Sequence, residues 1–122
     1  DYQMFANERD NKNYDIFVGG WFSDYNDPLD FLNVMKTGVY DSYGLYSNSE
    51  YDSLIDSLTG ENDNAKRLEI YQKLEDLLVA QDCGVAPLYY SDKHYYYQNW
   101  VKDFYTSSFG ASQELYRATV EK

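Results

Sequence analysis

Three aspartates, Asp24, Asp27 and Asp30, follow Trp21 and Phe22 in the stretch YDIFVGGWFSDYNDPLDFL at residues 14–32. Oxygen donors this close together suggest a calcium loop. The spacing fails that test: counted from Asp24, position six is Leu29 where a glycine must turn the chain, and position twelve is Met35 where a bidentate glutamate is needed. Nor does hydrolysis find its parts. Ser23 does not sit in a G-x-S-x-G elbow, and an enzyme using Asp24 and Asp27 would need two carboxylates with separated pKa values. With 21 acidic residues some pair is always at hand, so pairing carries no information. His94 is the single histidine, without a Cys or His partner at metal spacing, and belongs at the surface or in packing. We expect no catalytic residue, no metal and no cofactor. Asp27 precedes Pro28, the arrangement of an N-cap with proline at the first helical position. Asp24 has no such duty. Either it closes an Asx-turn, or it is a carboxylate placed to meet a cation.

The elements that must hold these residues are legible from periodicity. Ile16, Phe17 and Val18 form a short apolar run ahead of Gly19 and Gly20, as in a buried strand. Gly20 lacks a Cβ and lets another chain approach the backbone, with Trp21 and Phe22 alongside. After the Asp-Pro cap, Phe31, Leu32 and Met35 make a turn or two of amphipathic helix. Upstream, Tyr2, Met4 and Phe5 ahead of NERDNKN read as a short helix already under way at residue 1. Downstream, KTGVYDSYGLYSNS is a loop in which Ser47 and Glu50 have capping-box spacing. Tyr51, Leu54, Ile55 and Leu58 follow at i, i+3, i+4 and i+7, and Gly60 stops the run. A longer helix is expected over residues 63–82, capped by Asn62. Ile70, Leu74, Leu77 and Leu78 share its apolar face, and the charges opposite form a solvated face. Residues 84–90 and 94–97 return to strand character, with Pro87 favouring an edge. Trp100, Val101 and Phe104 suggest one helical turn, and residues 114–120 a final edge strand.

Several of these segments together resemble a known family. The pattern Gly20, Trp21, Asp24, Tyr25, Asp27, Pro28, Phe31, Leu32, followed in order by SEYDSLIDSL, AKRLEIYQKLEDLL and VAPLYYSDKHYYY, is similar to the C-terminal lobe of extracellular solute-binding proteins of family 5, the oligopeptide- and dipeptide-binding components of ABC importers. The resemblance implies an α/β fragment of the two-lobed type II periplasmic-binding-protein fold, with short strands and packed helices. It also implies the chemistry: Asp24 receives the α-amino group of an extended peptide, and the main chain of Gly20, Trp21 and Phe22 pairs with it like an added strand. Residues 1–91 would then belong to the C-terminal lobe, and residues 92–122 would be a hinge return that packs on the other lobe. The implied partners are short peptides and the importer's membrane permease. The implied place is extracytoplasmic, in the periplasm or at the cell surface, where such proteins are often lipid-anchored lipoproteins. A tyrosine-rich carbohydrate-binding module is the alternative, since 15 tyrosines could supply aromatic platforms.

Composition bounds these readings from outside. A chain of 122 residues with 43% hydrophobic content is one domain's worth and can bury a modest core. A net charge of −11 argues against nucleic acid and against an anionic membrane surface, and suits cationic or neutral ligands. The single Cys83 forms no internal disulfide. The chain has no initiator methionine, which suggests a segment of something longer. By itself such a segment is expected to self-associate through the aromatic side chains of its tail.

Overall fold

A computed structural model describes residues 1–39, 44–110 and 115–121. Tyr40 to Tyr43, inside the expected polar loop, and Glu114, the expected start of the last strand, lie outside the described residues. The chain divides into two compact units, one of Asp1–Trp21 with Asp27–Pro87, the other of Phe22–Asn26 with Leu88–Lys122.

The first unit is helical. Helix α1 (Tyr2–Asp10) begins at Asp1, whose carboxylate accepts from the Met4 amide at 2.8 Å. It buries none of its residues. Helix α2 (Leu29–Leu32) continues as a 3-10 turn over Asn33–Met35, as the short apolar pattern predicts. Helix α3 (Ser49–Ser57) and helix α4 (Asn64–Glu75) follow, the latter running on as a π-helix over Asp76–Gln81. Gly60 stands at φ +80 after α3, the left-handed conformation that ends the run.

The expected caps of α3 and α4 each shift by one residue. Asn48, not Ser47, caps α3 by accepting from Glu50 N and Tyr51 N, and Asp63, not Asn62, caps α4 by accepting from Ala65 N. Each capping residue has extended backbone, φ −148 and ψ 119 at Asn48, φ −80 and ψ 111 at Asp63. Ser47 lies instead against the Thr37 hydroxyl.

The core gathers where α2, α3 and α4 meet. Leu32, Tyr51, Ile55, Leu58, Tyr71, Leu74, Leu77 and Leu78 are buried together, with Leu54 and Ile70 packed at the margin. The apolar positions expected in α3 and α4 are all in this cluster, as are Leu32 and Met35, whereas Phe31, expected beside them, is exposed. Tyr51 is fully enclosed, and its hydroxyl donates to the Leu32 carbonyl at 2.8 Å, so a polar tip deep in the core is satisfied by the open end of α2.

The strands are the main correction. Residues 16–18 form no ladder among the described residues, and Ile16 and Val18 are 88% and 71% exposed where a buried strand was expected. Residues 84–90 and 94–97 likewise form none. The physical reason is common to all three: β-branched and aromatic runs become strands only beside a partner, and no described segment pairs with them.

In the second unit, β1 (Val101–Lys102) pairs antiparallel with β2 (Thr119–Val120), Val101 opposite Val120. Val101 is therefore in a strand, not in the helical turn expected from Trp100 to Phe104. The Glu121 amide donates to the Trp100 carbonyl at 2.9 Å beside this pair. Tyr95 and Tyr97 pack on Phe104, with ring centroids 6.1 and 4.9 Å apart. None of this unit's described residues is buried.

Candidate functional site

Gly20 and Trp21 belong to the first unit, Phe22 and Asp24 to the second. At Gly20 a Cβ would meet nothing within 4 Å. Trp21 is half-buried. Phe22 is exposed and carries the Lys93 ammonium 4.7 Å from its ring centroid. Asp24 is exposed.

The short loop from Phe22 to Asn26 is held from the other end of its unit. The Gly110 amide donates to the Ser23 carbonyl at 2.9 Å. Gly110 has φ +60, and a Cβ there would stand 3.3 Å from the Asp24 carbonyl oxygen. Close approach and left-handed backbone both call for glycine at this point. Neither Gly110 nor Lys93 is singled out by the sequence. Both act across a long separation, and no local spacing advertises that.

Asp27 proves to be tied down more firmly than a cap requires. One carboxylate oxygen accepts from the Leu29 amide at 2.9 Å and from the Tyr71 hydroxyl at 2.6 Å, and the other pairs with the Arg67 guanidinium at 2.7 Å. Arg67 also hydrogen-bonds the Tyr71 hydroxyl, and its second terminal nitrogen donates to the carbonyls of Leu58 and Glu61 at 3.3 and 3.2 Å. One side chain on α4 thus closes the end of α3, the connection between the helices and the start of α2. Burial pushes the Asp27 carboxyl up, but the Tyr71 hydroxyl, the Leu29 amide and the Arg67 charge together outweigh it and hold the carboxyl below its ordinary value. Tyr71 moves the other way, raised to about 12 by burial and then by the Asp27 carboxylate it serves. The sequence signals Asp27 through Pro28. It gives no sign of Arg67.

Among the described residues no group of His, Cys, Asp or Glu could hold a metal ion, and no helix is long and apolar enough to cross a membrane. His94 and Cys83 are both exposed. The first unit offers free space at the Cβ position of Gly20 and a half-buried indole, and the second offers an exposed phenyl ring and an exposed carboxylate on a pinned loop.

Comparison with known proteins sets the chain beside peptide-binding proteins. No protein-family model matches the chain. The periplasmic oligopeptide-binding protein OppA of Salmonella typhimurium is 30% identical over 101 residues, covering 83% of this chain and 18% of that protein. The oligopeptide-binding protein OppA of Bacillus subtilis is also 30% identical, over 105 residues, with 84% of this chain and 18% of that protein covered. A solved structure of the pheromone receptor PrgZ, described with its mode of peptide binding, matches 98% of this chain and 22% of its own at 28% identity, with a TM-score of 0.77. The chain therefore spans only 18% of the length of these two curated relatives. The class is that of the extracellular solute-binding proteins. Within it, the chain belongs to family 5, the oligopeptide-binding group.

Proposed function

We propose that the chain is a C-terminal-lobe segment of an extracytoplasmic, two-lobed peptide-binding protein that delivers short peptides to an ABC importer's permease. The observation that carries this reading is the likeness to oligopeptide-binding proteins over more than four fifths of the chain. A peptide would lie extended, its main chain paired with that of Gly20, Trp21 and Phe22, and its ammonium held by Asp24. Function here is capture without chemistry: a charge-assisted hydrogen bond fixes one end, main-chain pairing fixes the register, and closure of two lobes presents the loaded form. In this arrangement residues 1–91 serve the ligand-bearing lobe and residues 92–122 return through the hinge. The relatives are binding proteins, and none of the named ones favours the carbohydrate-module alternative.

Asp24 provides the test. In the intact protein Asp24→Asn is expected to weaken peptides with a free amino terminus by about 1.5 to 3 kcal/mol, the range for a hydrogen bond to a charged group. N-acetylated peptides should bind wild type weakly and lose little more. Calorimetric titration of both peptide sets decides it, and equal binding of acetylated and free peptides by wild type would remove Asp24 from the role.

A further inference from the structure

Lys93 falls in the polar break between two expected strands, and nothing in its sequence neighbourhood marks it. In the structure its ammonium sits 4.7 Å from the centroid of the Phe22 ring, over one face of it. A cation over an aromatic face is a modest attraction at an exposed site, enough to favour one place for a flexible side chain. Phe22 and Lys93 belong to the same compact unit, as does Asp24 two positions on. Gly110, through its hydrogen bond to Ser23, pins the loop between them.

The second observation concerns what Lys93 lacks. The chain has 21 acidic residues against 10 basic ones. Even so, the ion pairs among the described residues, Arg9 with Asp10, Lys36 with Asp56, Lys66 with Glu61 and Arg67 with Asp27, leave the Lys93 ammonium without a carboxylate of any described residue within 4.0 Å. Asp92 is its neighbour in sequence but makes no such pair with it. The result is an exposed ammonium set in place by a ring, on the unit whose loop carries Asp24.

We propose that Lys93 is a specificity residue of the peptide site, meeting an acidic side chain at one of the first two positions of the ligand and opposing a basic one there. The proposal rests on the peptide-binding reading above and names the charge preference that reading leaves open. Asp24 would take the ligand's ammonium, and Phe22, on the same loop, would bring Lys93 to the side chains nearest that end. Repulsion of a basic side chain and attraction of an acidic one act in the same direction, so the two should differ by roughly tenfold in affinity at moderate salt, and by less as salt is added.

The experiment uses the intact protein and tripeptides with a free amino terminus and otherwise uncharged side chains, carrying Glu, Gln or Lys at position one or at position two. For wild type the expected order at one of these positions is Glu, then Gln, then Lys. Each variant is read as its own Glu-to-Lys affinity ratio, with thermal melting as a check that the fold is kept. Lys93→Gln should bring the ratio near one, Lys93→Glu should invert it, and Lys93→Arg should preserve it. A ratio in Lys93→Glu unchanged from wild type, or no charge preference in wild type at either position, overturns the proposal alone. Failure of the neutral Gln peptides to bind wild type overturns the peptide reading and this proposal with it.

Discussion

Asp24 and Asp27 stand three positions apart in one polar stretch and differ in exposure. Asp24 is exposed on the pinned loop, whereas Asp27 is shared among Arg67, Tyr71 and the first turn of α2. Removing Asp27 takes away a cap, worth about 0.5 to 2 kcal/mol. It also leaves a half-buried guanidinium without its anion, so Asp27→Ala should cost about 2 to 3 kcal/mol in urea unfolding, with the order of peptide preference unaltered. Arg67→Lys should be nearly as damaging, because an ammonium cannot reach Asp27, Leu58 and Glu61 at once. The pH dependence follows from the same cluster. The Asp27 carboxyl is held below its ordinary value of 3.8, so its contribution is complete above that pH and lost as the pH falls below it. Tyr71, raised from 10.0 to about 12, keeps its contribution below pH 10 and loses it as the pH climbs toward about 12. Unfolding midpoints at pH 7, 3 and 11 check both limbs: Asp27→Asn should flatten the acid one, and Tyr71→Phe should reduce the alkaline one, to which the raised hydroxyls of Tyr46 and Tyr51 also contribute.

At the level of elements, the end of α4 shows how closely one piece depends on another. The π-helical turn finishes with Asp82, whose carboxylate accepts from the Tyr46 hydroxyl at 2.9 Å and from the Asn48 side-chain amide at 2.7 Å. The cap of α3 and the loop before it are thereby tied to the exit of α4. The Gly84 amide closes that exit on the Leu78 carbonyl at 2.8 Å, and a Cβ on Gly84 would stand 2.6 Å from the Tyr46 ring. That ring is itself fixed edge-on against Tyr51, at 5.3 Å and 87°, and cannot easily give way. Gly84→Ala is therefore expected to destabilise by about 1 to 3 kcal/mol, the range for overpacking, and Tyr46→Leu in the same chain should recover part of it. A thermal melt of the single and double variants measures the coupling, and additive losses would show that the ring is not what Gly84 accommodates.

For the whole molecule, the two units differ in what they bury. The first has a leucine and tyrosine core, whereas the second leaves Tyr90, Tyr96 and Tyr116 among its most exposed side chains. Tyr95 and Phe104, two of the aromatic side chains of the tail, pack on each other within their own unit as half-buried side chains and narrow its exposed aromatic surface. Enough remains exposed that the isolated chain is expected to self-associate at micromolar concentration and to bind peptide poorly. Sedimentation velocity beside a peptide titration tests both parts. A compact monomer with micromolar peptide affinity would refute them.

The sequence by itself determined the helices, their apolar faces and the resemblance to peptide-binding proteins. Each rests on local spacing: three- and four-residue periodicity carries a helix through its own hydrogen bonds, and the Asp-Pro pair marks a start within two residues. Cap choice was readable only to the nearest residue, because Ser47 and Asn48, or Asn62 and Asp63, are all competent caps until the fold decides which side chain reaches the first amides. The tertiary structure alone decided the rest. It left the apolar run at residues 16–18 without a ladder, since a strand is defined by a partner distant in sequence. It brought Arg67 to Asp27 across 40 positions and Lys93 to Phe22 from a separate part of the chain. Side chains that meet in this way leave no periodic trace, because their proximity is created by packing of the elements and not by the elements themselves.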